Sequence, residues 1–172
     1  MPQTLGAFLA IMAVMTFSLN YHQTTIRSQQ TAINSEMEVM ANAVASDVMN
    51  YIASKPFDAR TADNTVTRFN RNTDLLTLPT DFGSCAVFEN CNDIDDFDSM
   101  SAFTRSFEID ATRKIDFDIE ISVAYVDDSG RASSSPTWIK EVTVQVSNDQ
   151  SANGVPLLIQ KLRIKRQFSP QW

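Results

Sequence analysis

The chain has 172 residues, a net charge of −7 from 14 basic and 21 acidic side chains, and 43% hydrophobic residues. This apolar fraction is typical of a globular protein and too high for a disordered one. The acidic balance argues against a general nucleic-acid binder, which needs a basic surface. One histidine, two cysteines and four scattered glycines leave little material for a metal centre, a nucleophile–base pair or a phosphate loop. We therefore expect neither catalysis nor a nucleic-acid partner.

The N-terminal segment, residues 1–28, is predicted to be an apolar half-helix. Arg27 is its first charged residue. As a helix, the apolar run 5–17 is about 20 Å long, against a hydrocarbon core of about 30 Å. Residues 1–19 would thus cross a membrane only marginally. The segment is expected to be buried in lipid or against copies of itself, through Phe8, Leu9, Ile11, Met12, Val14, Met15 and Phe17.

Residues 29–55 continue this helix with an amphipathic pattern. They contain no glycine and no proline before the helix end, and apolar side chains recur every three or four residues along one face. Pro2 suits the first helical position, and Pro56 predicts an end at Ser54–Lys55. The predicted apolar stripe is Ile33, Met37, Met40, Val44, Val48 and Ile52.

The rest of the globular head (29–172) is predicted to hold a variable loop region (56–114) and an antiparallel sheet (115–168). Apolar and polar residues alternate over 115–125 and 138–146, which is typical of half-buried strands. Turns are expected at 127–130 and 148–154, with a third strand over 158–168. The fold class is therefore α+β, with one long helix covering a three-stranded meander.

The order of these elements resembles the type IV pilin-like superfamily, which includes minor pilins and pseudopilins. AVASDVMNYIASKPFD (43–58) is similar to the helix end and Pro-Phe-Asp exit of many minor pilins. CNDIDDFDSM (91–100) and WIKEVTVQVS (138–147) resemble a minor-pilin loop and strand. The resemblance implies a structural subunit of an extracellular filament at the cell surface, built as a helical homopolymer by pilus or secretion machinery. It also implies that the apolar residues of 1–28 lie in the inner membrane before assembly and form the filament core afterwards.

Two other functions fit the same pattern. One is a minor tip pilin or pseudopilin that primes assembly or mediates adhesion. The other is a single-pass membrane protein whose head binds a ligand or senses one.

The loop 85–98 holds most of the candidate site residues. Cys85 and Cys91 are predicted to form a disulfide, as an even cysteine count in an exported chain suggests. The cluster Asp93, Asp95, Asp96 and Asp98 is either a Ca²⁺ site or a solvated acidic patch, and it lacks the spacing of an EF-hand. No other cofactor is expected.

Charge contacts between subunits are expected to fix the filament register. The acidic partners are Asp95 and Asp96, and the basic partners are Lys161 and Arg163. His22 lies where the apolar half ends, and we expect it to donate or accept hydrogen bonds at an interface rather than to bind metal.

Overall fold

The computed structural model describes residues 2–83, 85–148, 158 and 160–171. The chain forms two compact units, Met1–Met37 and Glu38–Trp172. Helix α1 runs over Pro2–Ala53 and therefore contributes residues to both. The predicted long helix is confirmed, and it ends one residue before the predicted position. Pro56 follows it closely, as the restriction on residues before proline leads one to expect.

The second unit contains a four-stranded antiparallel sheet in the order β1-β2-β3-β4. Its strands are β1 (Phe103–Glu108), β2 (Lys114–Tyr125), β3 (Lys140–Ser147) and β4 (Leu162–Phe168). The α+β class is confirmed. The sheet has one strand more than predicted, because the segment that we assigned to the irregular loop region pairs as β1, with Phe103 opposite Ile119. The predicted turn at 148–154 lies, apart from Asn148, outside the described residues.

The core of this unit lies between the C-terminal part of α1 and one face of the sheet. The buried stripe of α1 begins at Met37, and Ala41, Ala45 and Met49 widen it beyond the predicted positions. Ile33 does not belong to it, because its side chain is 54% exposed. The sheet contributes alternate residues of two strands: Phe117, Ile119, Ile121, Val123, Tyr125, Val142, Val144 and Val146.

The loop region between α1 and β1 contains short helical elements. It holds helix α2 (Ala59–Ala62) and four 3-10 turns, at Thr73–Leu75, Pro79–Asp81, Phe88–Asn90 and Asp95–Phe97. Asp58 caps α2 by accepting from the Arg60 amide at 2.9 Å. A second apolar cluster (Phe57, Val66, Leu76 and Tyr125) anchors this region to the end of β2.

Candidate assembly surface and the buried ion-pair cluster

The predicted filament-core residues are all solvent-exposed in the isolated chain. Their side chains are between 52% and 77% exposed, and Leu19, Tyr21 and Ile26 extend the same surface. With about 3.6 residues per turn, these positions lie on every side of α1 rather than along one stripe. A helix that is apolar all round is normally found buried on all sides.

Three threonine hydroxyls on this part of α1 are satisfied by hydrogen bonds within the helix. The hydroxyl of Thr16 donates to the carbonyl oxygens of Met12 and Ala13, at 3.0 and 2.9 Å. Thr24 and Thr25 donate in the same way to carbonyls one turn earlier. These hydroxyls therefore need no outside partner, which lowers the cost of burying the segment.

The sequence predicts a marginal membrane-spanning helix in this segment. Across residues 2–83, 85–148, 158 and 160–171, no helix combines the length and the apolar character that a crossing requires. This finding does not support the predicted transmembrane helix. The apolar run is short, and Ser18, Asn20, His22 and Gln23 follow it directly.

A shallow apolar groove on α1 is lined by Ala13, Val14, Phe17, Ser18 and Tyr21. Its lining combines two small side chains, Ala13 and Ser18, with the aromatic rings of Phe17 and Tyr21. This alternation of sizes is the kind of surface into which side chains of a neighbouring helix interlock.

The Cys85–Cys91 disulfide is present, with the two Cα atoms 5.4 Å apart. Its loop is fixed to the head at several points. The Cys85 amide donates to the Asp96 carbonyl at 3.1 Å, and the Tyr51 hydroxyl donates to the Glu89 carbonyl at 3.1 Å. Tyr51 also packs its ring against Phe88, with centroids 4.7 Å apart.

The four carboxylates of the acidic cluster accept hydrogen bonds from other residues of the same chain. Asp93 and Asp95 are buried, and Asp96 and Asp98 are half-buried. Asp96 accepts from the Asn92 amide at 2.8 Å and Asp98 from the Val123 amide at 2.9 Å. No group of three or more His, Cys, Asp or Glu residues in the described part of the chain is arranged to hold a metal. The Ca²⁺ site stays a prediction.

Lys140 is the centre of a fully buried polar cluster. Its Nζ donates to Asp95 Oδ1 at 2.6 Å, to the Phe57 carbonyl at 2.7 Å and to Asp58 Oδ2 at 3.2 Å. The side chains of Lys140 and Asp58 are 0% exposed, and that of Asp95 is 3% exposed. Asp95 thus pairs within its own chain. Of the other predicted charge contacts, Lys161 and Arg163 are exposed and Asp96 is half-buried.

Aromatic rings surround this ammonium group. The ring centroids of Phe57, Tyr125 and Phe82 lie 4.5, 5.1 and 5.4 Å from Nζ. The negative faces of such rings attract a cation. Sequence reasoning missed this cluster, although Lys140 has the same strand parity as the buried Val142 and Val144.

Burial and neighbouring charges shift the pKa values of three groups in or near this cluster. Burial raises the pKa of Asp58, but the charge of Lys140 and two backbone amides outweigh it and the net pKa is lowered. Burial, then the charges of Asp95 and Asp96, raises the pKa of Asp93 to about 7. Burial and the Asp58 carboxylate likewise raise the pKa of Tyr125.

The outer face of the sheet carries opposite charges on different strands. β2 presents acidic side chains and β4 presents basic ones, joined through β3. Arg163 donates to Gln145 Oε1 at 2.7 Å, and Gln145 donates to Glu120 Oε2 at 2.5 Å. Lys165 pairs with Glu141 at 2.6 Å.

The chain matches no protein-family model, no curated protein and no solved structure.

Proposed function

We propose that this protein is a structural subunit of an extracellular helical filament, in which the first halves of α1 from many copies bundle together. The observation that carries the proposal is the exposed apolar surface of residues 8–17. Seven large side chains there are each more than half exposed. Fully burying one such side chain contributes about 1.5–3 kcal/mol, so seven give roughly 10–20 kcal/mol per subunit before ordering and association costs.

The distribution of this surface favours a bundle over a dimer. A two-stranded coiled coil buries one stripe of each helix and leaves the other side in water. Here the exposed apolar side chains occupy all sides of α1, so one partner helix would leave several uncovered. Several neighbouring copies would cover them, and a repeated contact that does not close on itself produces an open helical polymer.

Two further observations support this role. The intrachain disulfide suits an oxidising compartment outside the cytosol. The segments 43–58, 91–100 and 138–147 resemble the helix end, loop and strand of minor pilins, and a long helix followed by an antiparallel sheet is the order of elements that this resemblance implies. The half-buried Asp96 and the exposed Lys161 and Arg163 remain candidates for the contacts between heads.

The proposal is tested by a charge placed within the apolar segment. Ala13→Lys puts an ammonium group in the groove beside Val14 and Phe17, where a bundle offers no partner and burial is costly. Gln29→Lys is the matched control, because it adds the same charge to an exposed position of the same helix. Gln29 lies two residues after Arg27, outside the apolar segment.

The measurement is negative-stain microscopy and pelleting of purified full-length protein. We expect fibres from the wild type and from Gln29→Lys, and loss of fibres from Ala13→Lys. Normal fibre yield from Ala13→Lys would contradict the proposal, as would a wild type that forms no polymer.

A further inference from the structure

The cluster around Lys140 brings an amine and two carboxyl groups together away from water. Asp95 lies in the 3-10 turn Asp95–Phe97, Asp58 precedes α2, and Lys140 begins β3. The distances from Nζ are 2.6 Å to Asp95 Oδ1 and 3.2 Å to Asp58 Oδ2. All three side chains are at most 3% exposed. The positioning of reacting groups at contact distance is what accelerates condensation within one molecule.

We propose that Lys140 and Asp95 condense into an intramolecular isopeptide bond, with Asp58 as the catalytic proton carrier. This inference does not rest on the proposed filament. It adds a covalent modification site within the head.

The reaction requires no reagent from outside the chain. One proton passes from the Lys140 ammonium to the Asp95 carboxylate, which leaves an amine and a carboxylic acid. The amine nitrogen attacks Asp95 Cγ and the new C–N bond forms. Asp58 accepts a proton from that nitrogen and returns it to the departing hydroxyl, so the Cγ–O bond breaks and one water leaves.

The hydrogen bonds of the two carboxylates assign these roles. Asp58 accepts from the Arg60 amide at 2.9 Å, from the Thr77 amide at 3.0 Å and from the Thr77 hydroxyl at 3.2 Å. These three donors stabilise the charged form of the Asp58 carboxylate. Asp58 contacts Nζ, but at a longer distance than Asp95 does. Asp95 makes the shorter contact with Nζ and is therefore the group attacked.

The surroundings favour the product. Burial of a charged pair costs more than burial of a neutral amide, and condensation removes two buried charges. Asp58 stays satisfied afterwards by its donors at Arg60 and Thr77, with the Tyr125 hydroxyl at 3.4 Å. The rings of Phe57, Phe82 and Tyr125 enclose the amine and exclude the water that would reverse the reaction.

The test is the intact mass of full-length protein after reduction of its disulfide. We expect a mass that is lower than the sequence mass by one water, and a tryptic map in which a peptide containing uncleaved Lys140 is linked to the peptide containing Asp95. A wild-type protein at its full sequence mass would overturn the proposal and leave an ionic contact only.

Variants test which residue supplies the nucleophile and which residue carries the proton. Lys140→Arg and Asp58→Asn should both show their full sequence mass, the first for lack of a nucleophile and the second for lack of the proton carrier. Asp98→Asn is the matched control: this residue lies beside the same 3-10 turn, its side chain contacts the Val123 amide, and the variant should still lose one water.

The other outcomes are equally decisive. A loss of water that persists in Lys140→Arg, or a link that maps to Asp58, would refute the assigned bond. A link that still forms in Asp58→Asn would refute the role of Asp58. The wild-type mass and peptide map decide the proposal even if a variant does not fold.

Discussion

Asp93 gives the protein a built-in dependence of stability on pH. Its side chain is buried beside Asp95 and Asp96, and these surroundings raise its pKa from 3.8 to about 7. A pKa that is higher in the folded state contributes stability that is complete below about pH 4 and is lost as the pH rises towards 7. Above that pH the fold contains a buried, repelled carboxylate.

Asp93→Asn removes this carboxylate but keeps the oxygen that accepts from the Asp96 amide at 3.2 Å. A shift from 3.8 to about 7 corresponds to a few kcal/mol, at about 1.4 kcal/mol per pKa unit. We expect the variant to be more stable than the wild type by roughly 2–4 kcal/mol at pH 8 and by about zero at pH 3.5.

The assay is urea unfolding of full-length protein followed by near-ultraviolet circular dichroism at pH 3.5, 5.5 and 8. The advantage of the variant should grow between pH 4 and 7 and then level off. Asp128→Asn, at an exposed carboxylate, should show a small difference at every pH. An advantage of Asp93→Asn that does not change with pH would refute the reasoning.

Two further predictions concern stability. Replacing Cys85 and Cys91 together by serine should cost about 2–3 kcal/mol, because a small loop is no longer closed in the unfolded chain, and calorimetry should show a lower Tm. Ile52→Ala should destabilise the head by about 2–5 kcal/mol, since Ile52 is fully buried. Ile33→Ala should change stability by less than about 1 kcal/mol, since its side chain is exposed; equal losses of urea stability in the two variants would contradict the burial that we describe.

The periodic elements of this fold could be predicted from sequence. The absence of glycine and proline over 29–54 and the apolar repeat there predict the second half of α1 and its end, and strict alternation predicts β2 and β3. Strand β1 was missed because Arg105 occupies one of its inner positions. There its guanidinium carbon lies 4.9 Å from the centroid of the Phe88 ring, and its Nη2 atom lies 3.2 Å from Glu89 Oε1. A charged residue thus occupies a position where an alternating pattern predicts an apolar one.

The partners of charged residues could not be predicted in the same way. Asp95 lies in a run of acids that suggests a solvated patch or an ion site. In the fold, it meets Lys140, which is 45 residues away in sequence. No periodicity relates two such positions, because their meeting depends on how a 3-10 turn and a strand pack together. The inward parity of Lys140 was the one local signal that it needed a buried partner.

The disulfide could be predicted from two residues that are close in sequence. Cys85 and Cys91 are six positions apart, and their Cα atoms are within the range that a disulfide spans. The extent of the exposed apolar surface was also readable from sequence, since residues 6–26 carry no charge. What encloses that surface depends on the proposed assembly, which no local sequence pattern encodes.

The central claim, that copies of the chain enclose the apolar half of α1, is tested most directly by electron paramagnetic resonance. A single spin label is attached to Ala13→Cys in full-length, detergent-free protein. Packed helices lie about 8–10 Å apart, so we predict strong dipolar broadening that disappears when labelled chains are diluted with unlabelled ones. A spectrum without broadening at any dilution would show that these helices do not pack together, and would contradict the account.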